Sequence, residues 1–124
     1  MATKFEGIKE KTTRTYEATL KDELGAVIPA ASITTLLLTL YSLNSPTLAI
    51  VNARNQQSLL NANNGTVDAN GLFKWEMQIL DNQVLDSTLT TEIHRGLFEV
   101  TWAAGTKAHK HEVDFHVQNL NKVT

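Results

Sequence analysis

The stretch "GTKAHKHEVDFHVQNL", residues 105–120, sets three histidines and two carboxylates between His109 and His116. A metal site is the sharpest chemistry such a run suggests. On a strand His109 and His111 point to the same side, the spacing that metal-binding hairpins use. The same alternation sends His116 to the other side with Glu112 and Asp114. This strand alone therefore cannot converge three imidazoles, and a three-histidine site needs His94 to approach from a neighbouring strand. The plainer reading makes His109 and His111 the opening of a strand beside a turn, with Glu112, Asp114 and His116 as its solvated face. Glu112 and Asp114 have the spacing of an acid–base pair, but that solvated face accounts for them equally well.

Other chemistry is thinly represented. The chain contains no GxSxG elbow, Walker loop or GxGxxG turn, which are the signatures of common hydrolase, nucleotide and dinucleotide sites. "DAN" at Asp68 begins like a calcium loop, yet Leu72 stands where a ligand belongs and no glutamate closes it. There is no cysteine, so disulfides and thiolate chemistry are excluded. The expectation is a protein with no catalytic residues, no cofactor and no metal. His94 and Arg95 lie among apolar residues, where an arginine must be paired. Glu92 or Glu99 can supply that partner; alternatively Arg54 and Arg95 anchor an interface.

The elements that would position these residues read as strands. "RTYEATL" puts Tyr16, Ala18 and Leu20 on one face, and "LFKWEMQI" puts Phe73, Trp75, Met77 and Ile79 on one face. Phe98, Val100 and Trp102 share a face in "IHRGLFEVTWAA", as do Val113, Phe115 and Val117 in the histidine run. "ITTLLLTLYSL", 33–43, reads as a strand buried on both faces or paired centrally, and "TLAIVN" as a short one. Asn70 and Gly71 predict a tight turn with a strand directly after it. These spacings predict an all-β, antiparallel β-sandwich of immunoglobulin-like type built from about six strands.

Two segments stand apart from the alternation. Residues 1–13 are polar with only Phe5 and Ile8 as apolar anchors, and are expected to form an N-terminal arm that orders on a partner, ahead of a sandwich domain over 14–124. Residues 53–71 are rich in asparagine and read as one long polar loop with a binding role. In 124 residues with net charge -2, no lysine or arginine cluster is dense enough for nucleic acid, and no apolar stretch approaches a membrane span or a signal peptide. Both segments would gain hydrogen-bond partners against another protein chain, which selects an interaction module.

The run "YEATLKDELGAVIPAASITTLLLTLYSL" resembles the opening of bacterial and phage immunoglobulin-like domains, where a strand is followed by a "KD-x-x-G-x-x-IP-x-A" turn and a second strand. The remainder, through "EIHRGLFEVTWAAGTKAHKHEVDFHVQNL", is similar to small virion structural proteins of tailed bacteriophages. The resemblance implies a capsid decoration (cement) protein, located in the virion after assembly in the host cytoplasm, that binds the major capsid protein or another virion protein and sits there as a homotrimer. A tail, baseplate or head–tail connector subunit would share these features, and a carbohydrate-binding module would instead need exposed aromatics. The residues themselves nominate Phe5 and Ile8 in the arm, and Arg54, Asn55, Gln56 and Gln57 in the loop, as interface contacts.

Overall fold

The strand Thr91–Trp102 shows the pattern that organises the molecule: Glu92, His94, Gly96, Phe98, Val100 and Trp102 are buried, while the residues between them are half exposed. Successive side chains of a strand leave on opposite faces, so this period of two means that one face meets a second layer. The computed structural model describes residues 3–120. In chain order the strands are β1 (Thr3–Lys9), β2 (Arg14–Thr19), β3 (Ile33–Ser42), β4 (Gln57–Ser58), β5 (Gly65–Val67), β6 (Leu72–Met77), β7 (Thr91–Trp102) and β8 (Lys107–Gln118). Single 3-10 turns occur at Ala30–Ser32 and Ile79–Asn82.

The strands form a β-sandwich. One sheet has the order β1-β8-β7-β3-β4 and the other β2-β6-β5, with the chain changing sheet at β1–β2, β2–β3, β4–β5 and β6–β7. Tyr16, Phe73 and Trp75 from the smaller sheet meet Phe98 and Phe115 from the larger. Tyr16 stacks on Phe98 at 5.4 Å between ring centroids, and Trp75 sits edge-on to Phe115 at 5.7 Å; both are favoured geometries for aromatic pairs. The predicted turn before β6 is present. Gly71 takes a φ of 74°, and the Asp68 carboxylate accepts the backbone N–H groups of Asn70 and Leu72, each at 2.9 Å.

Three expectations are corrected. Residues 3–9 do not project as an arm: they form β1, an edge strand of the larger sheet, while residues 1–2 lie outside the described residues. Ile8 is wholly buried, and Phe5 packs at 5.6 Å on Phe115 and 6.1 Å on Tyr16. A polar sequence suffices here because one face of an edge strand stays in water. The pairing of β1 with β8 is parallel, so the larger sheet is mixed and not purely antiparallel. "TLAIVN" makes only a single bridge, Ile50 to Tyr41; Leu48, Asn52 and Ala53 all have positive φ, which interrupts extended backbone.

The three loops 10–13, 43–56 and 78–90, with Asn119 and Leu120, gather at one end of the sandwich. Loops 20–32, 68–71 and 103–106 occupy the other end.

Candidate functional site

The loop-rich end is tied together by buried polar groups contributed from segments far apart in sequence. Arg54 is nearly inaccessible, and its guanidinium is fully engaged. Nε and Nη2 donate to the two oxygens of Asp81 at 2.6 and 3.0 Å, and Nη1 donates to Gln57 Oε1 at 2.7 Å and the Asn63 carbonyl at 3.1 Å. The guanidinium also lies 5.3 Å from the Trp75 ring. Asp81 accepts further hydrogen bonds from Asn52 Nδ2 at 2.9 Å and the Gln78 amide at 2.7 Å. A buried ion pair is tolerable only when its remaining lone pairs and protons are satisfied, and here Asn52, Gln57, Asn63 and the backbone N–H of Gln78 supply those partners.

A second polar centre lies on β7. The Glu92 carboxylate accepts the amides of Leu85 at 3.0 Å and Asp86 at 2.8 Å, and it also bonds His94 Nε2. Burial on its own pushes the Glu92 carboxyl up, but the hydrogen bonds from His94, Leu85 and Asp86 outweigh it and hold the carboxyl below its ordinary value. His94 stands directly opposite Ser42 of β3. Its Nδ1 and the Ser42 hydroxyl are both buried, and neither has a hydrogen-bond partner among the described residues. Asparagines complete the ties: Asn44 Oδ1 accepts the Ile93 amide at 2.7 Å, Asn82 Nδ2 donates to the Thr12 carbonyl at 2.7 Å, and Asn119 Nδ2 donates to the Leu89 carbonyl at 3.0 Å.

On this base the loops present apolar side chains outward. Leu48, Ile79, Leu80, Leu85 and Leu120 are each about half exposed. A shallow pocket of about 180 Å³ opens between Pro46 and Ala49 of one loop and Leu85 of another, with Ser42 and Glu92 at its wall. Apolar groups held out by anchored loops form a surface that loses little conformational entropy when another chain covers it.

The histidines resolve differently. His109 and His111 share the inward face of β8, as their spacing predicted, and line a groove between the sheets, while His116 lies on the outer face. His94 is opposite Phe115 and His111 is opposite Phe98; the offset from 94 to 98 along the strands is about 13 Å. The three imidazoles do not converge, and no group of His, Asp and Glu among the described residues is placed to hold a metal ion. Burial pushes His111 down, neighbouring His109 adds to that, and Glu112 opposes it. Arg95 faces outward and is paired across the ladder, with Nε and Nη2 on Asp114 at 2.8 and 3.1 Å. Its partner is thus on β8, and Glu92 serves His94 instead.

The nominated contact residues are scattered by the fold. Ile8 and Arg54 are interior and cannot touch a partner in this conformation, and Phe5 is half buried against the aromatic core. Asn55 and Gln56 are exposed, whereas Gln57 is half buried beneath Arg54. The asparagine-rich segment 53–71 holds β4 and β5, and its side chains serve its own backbone. Asn61, Asn63 and Asn64 take positive φ, which asparagine tolerates better than most residues. Asn61 Oδ1 accepts the Val67 amide at 3.1 Å, and Asn63 Nδ2 donates to the Ser58 carbonyl at 2.8 Å. Gly65 is required beside them, since a Cβ there would stand 2.4 Å from the Leu59 carbonyl oxygen. Ile79, expected on the inward face with Phe73, Trp75 and Met77, is instead half exposed, because β6 ends at Met77 and Ile79 opens the 3-10 turn; the signal for this in the sequence is Leu80 directly after it, which breaks the alternation. Both tryptophans are buried, which removes them as sugar-stacking platforms.

No family model, curated protein or solved structure matches this chain.

Proposed function

We propose that this chain is a non-enzymatic structural protein of a tailed-bacteriophage virion, a decoration protein that binds the assembled head shell through its loop end and stabilises it. The observation that carries the reading is the pairing of a rigid polar base, Arg54–Asp81 and Glu92–His94, with an outward apolar set of Leu48, Ile79, Leu80, Leu85 and Leu120. Exposed apolar groups gathered on one surface mark an interaction site. The immunoglobulin-like class belongs to the same proposal. It is supported by the strand order β1-β8-β7-β3-β4 facing β2-β6-β5, an arrangement that such sandwiches also use, and by the resemblance of the 16–43 run.

The test is cosedimentation of the purified chain with expanded phage heads, alongside the double variant Leu48→Ser/Leu85→Ser. The expected result is saturable binding at a fixed ratio to the major capsid protein, weakened at least tenfold in the variant, which is roughly 1.4 kcal/mol. Absence of binding by the unaltered chain overturns the decoration reading and directs the search to tail and connector assemblies. Binding that the variant leaves unchanged overturns the assignment of the loop end.

A further inference from the structure

β8 has 12 residues and β1, which covers its outer edge, has 7. Its ladder with β7 runs in unbroken register from Lys107 to Gln118, whereas β1 pairs only with Val113 to Gln118. The outer edge of Lys107–Glu112, about 20 Å of strand, has no strand partner among the described residues. Neither proline nor bulge interrupts it, and the edge protection it has is the charge of Lys107, Lys110 and Glu112, which excludes indiscriminate pairing but leaves the backbone groups open. Beside this edge lies a groove of about 190 Å³, floored by Tyr16, Phe73, Phe98 and Val100 and bordered by His109 and His111. The opposite wall is β2, the edge strand of the smaller sheet. The groove is therefore a gap between two strand edges.

The molecule already closes the neighbouring part of the same gap. Phe5 of β1 lies opposite Phe115 in the parallel ladder and packs against Tyr16 and Phe115. Thr3, where the described part of β1 begins, reaches His111, with Oγ1 at 3.4 Å from Nε2. The open groove begins at that point. Among the described residues that line the groove Lys21 carries the charge, beside the imidazoles of His109 and His111, and no carboxylate lines it.

We infer that this edge and groove receive an extended segment of a partner protein, which pairs its backbone with Lys107–Glu112, inserts one apolar side chain over Tyr16 and Phe98, and sets a flanking carboxylate against His109 and Lys21. Strand addition of this kind draws affinity from main-chain hydrogen bonds and selectivity from the alternate side chains that reach a pocket. This surface lies toward the end opposite the apolar loops, so it is independent of the head-binding proposal.

The experiment is an NMR titration of the isotope-labelled chain with capped heptapeptides of alternating threonine and apolar residues, carrying phenylalanine, leucine or valine at the centre and aspartate beside it. A matched peptide with serine at the centre is the control. Ala18, on the inward face of β2, also lines the groove. The variant Ala18→Phe fills the groove with an apolar ring and leaves the fold's polar pairing untouched. The expected result is saturable perturbation of the Lys107–Glu112 and β2 amides, at least tenfold weaker for the serine peptide and absent in Ala18→Phe. The inference is overturned by any of three outcomes: no saturable change up to millimolar peptide, equal response to the serine control, or perturbation that Ala18→Phe does not remove. Concentration-dependent self-association of the free chain through the same amides also overturns it, because the occupant is then a second copy.

Discussion

Two buried polar centres hold the loop end, and they are built on different terms. Every N–H of the Arg54 guanidinium has an acceptor, although the indole Nε1 of the neighbouring Trp75 has none among the described residues. Around Glu92 the negative charge is satisfied by two amides and an imidazole, but His94 Nδ1 and Ser42 Oγ end without a partner among the described residues. The first centre joins one loop to a 3-10 turn and also lies over the Trp75 ring. The second secures the 78–90 loop alone, and it does so through the Glu92 carboxylate, which is held below its ordinary value. Loss of the first should therefore unsettle the whole fold, whereas loss of the second should loosen one loop in a pH-dependent way.

The largest effect is expected at the first centre. Arg54→Met leaves Asp81 charged and unpaired in the interior and should cost about 3–5 kcal/mol in urea unfolding, while adding Asp81→Leu should restore most of that loss. Equal instability of the single and double variants would show that the ion pair is not what the loop depends on. At the second centre, Glu92→Gln should cost about 1.5–3 kcal/mol at neutral pH, the range for hydrogen bonds to a charged group. The sign of its pH dependence follows from the depressed carboxyl. Its stabilisation is fully present above the unfolded glutamate value of about 4.3 and drains away as pH falls through the lower folded value. The unaltered chain should therefore lose stability below about pH 4.3 more steeply than Glu92→Gln, which parallel unfolding curves at descending pH would measure. The smallest effect is expected in the asparagine-rich segment: Asn61→Ala removes the acceptor for the Val67 amide and should cost about 1 kcal/mol by thermal melting.

The sequence carried the strands whose faces differ most. Phe73, Trp75 and Met77, and likewise Val113, Phe115 and Val117, alternate so cleanly with polar residues that their inward face was readable, and the structure buries all six. β1 escaped notice because an edge strand needs few apolar residues, and its partner β8 lies more than a hundred positions away. The parallel pairing depends on that distant contact, and local pattern holds no record of it. Arg54 and Asp81 were unreadable as a pair for the same reason, since they meet only after the sheets have packed. The parity of His109, His111 and His116 was legible, but the separation of His94 from the others follows from strand register, which the sequence does not encode locally. The asparagines in 53–71 suggested spare polar groups, whereas their work is to stabilise positive φ and cap their own backbone.

The most direct measurement is native-state hydrogen exchange at the amides of Leu85, Asp86 and Ile93, which the Glu92 carboxylate and the Asn44 side chain hold. If the polar centres fix the loop end as a preorganised surface, these amides should exchange only through openings close in free energy to global unfolding. Exchange at the rate of an unprotected loop would contradict the account, because the apolar residues would then ride on mobile segments with no fixed face to offer a partner.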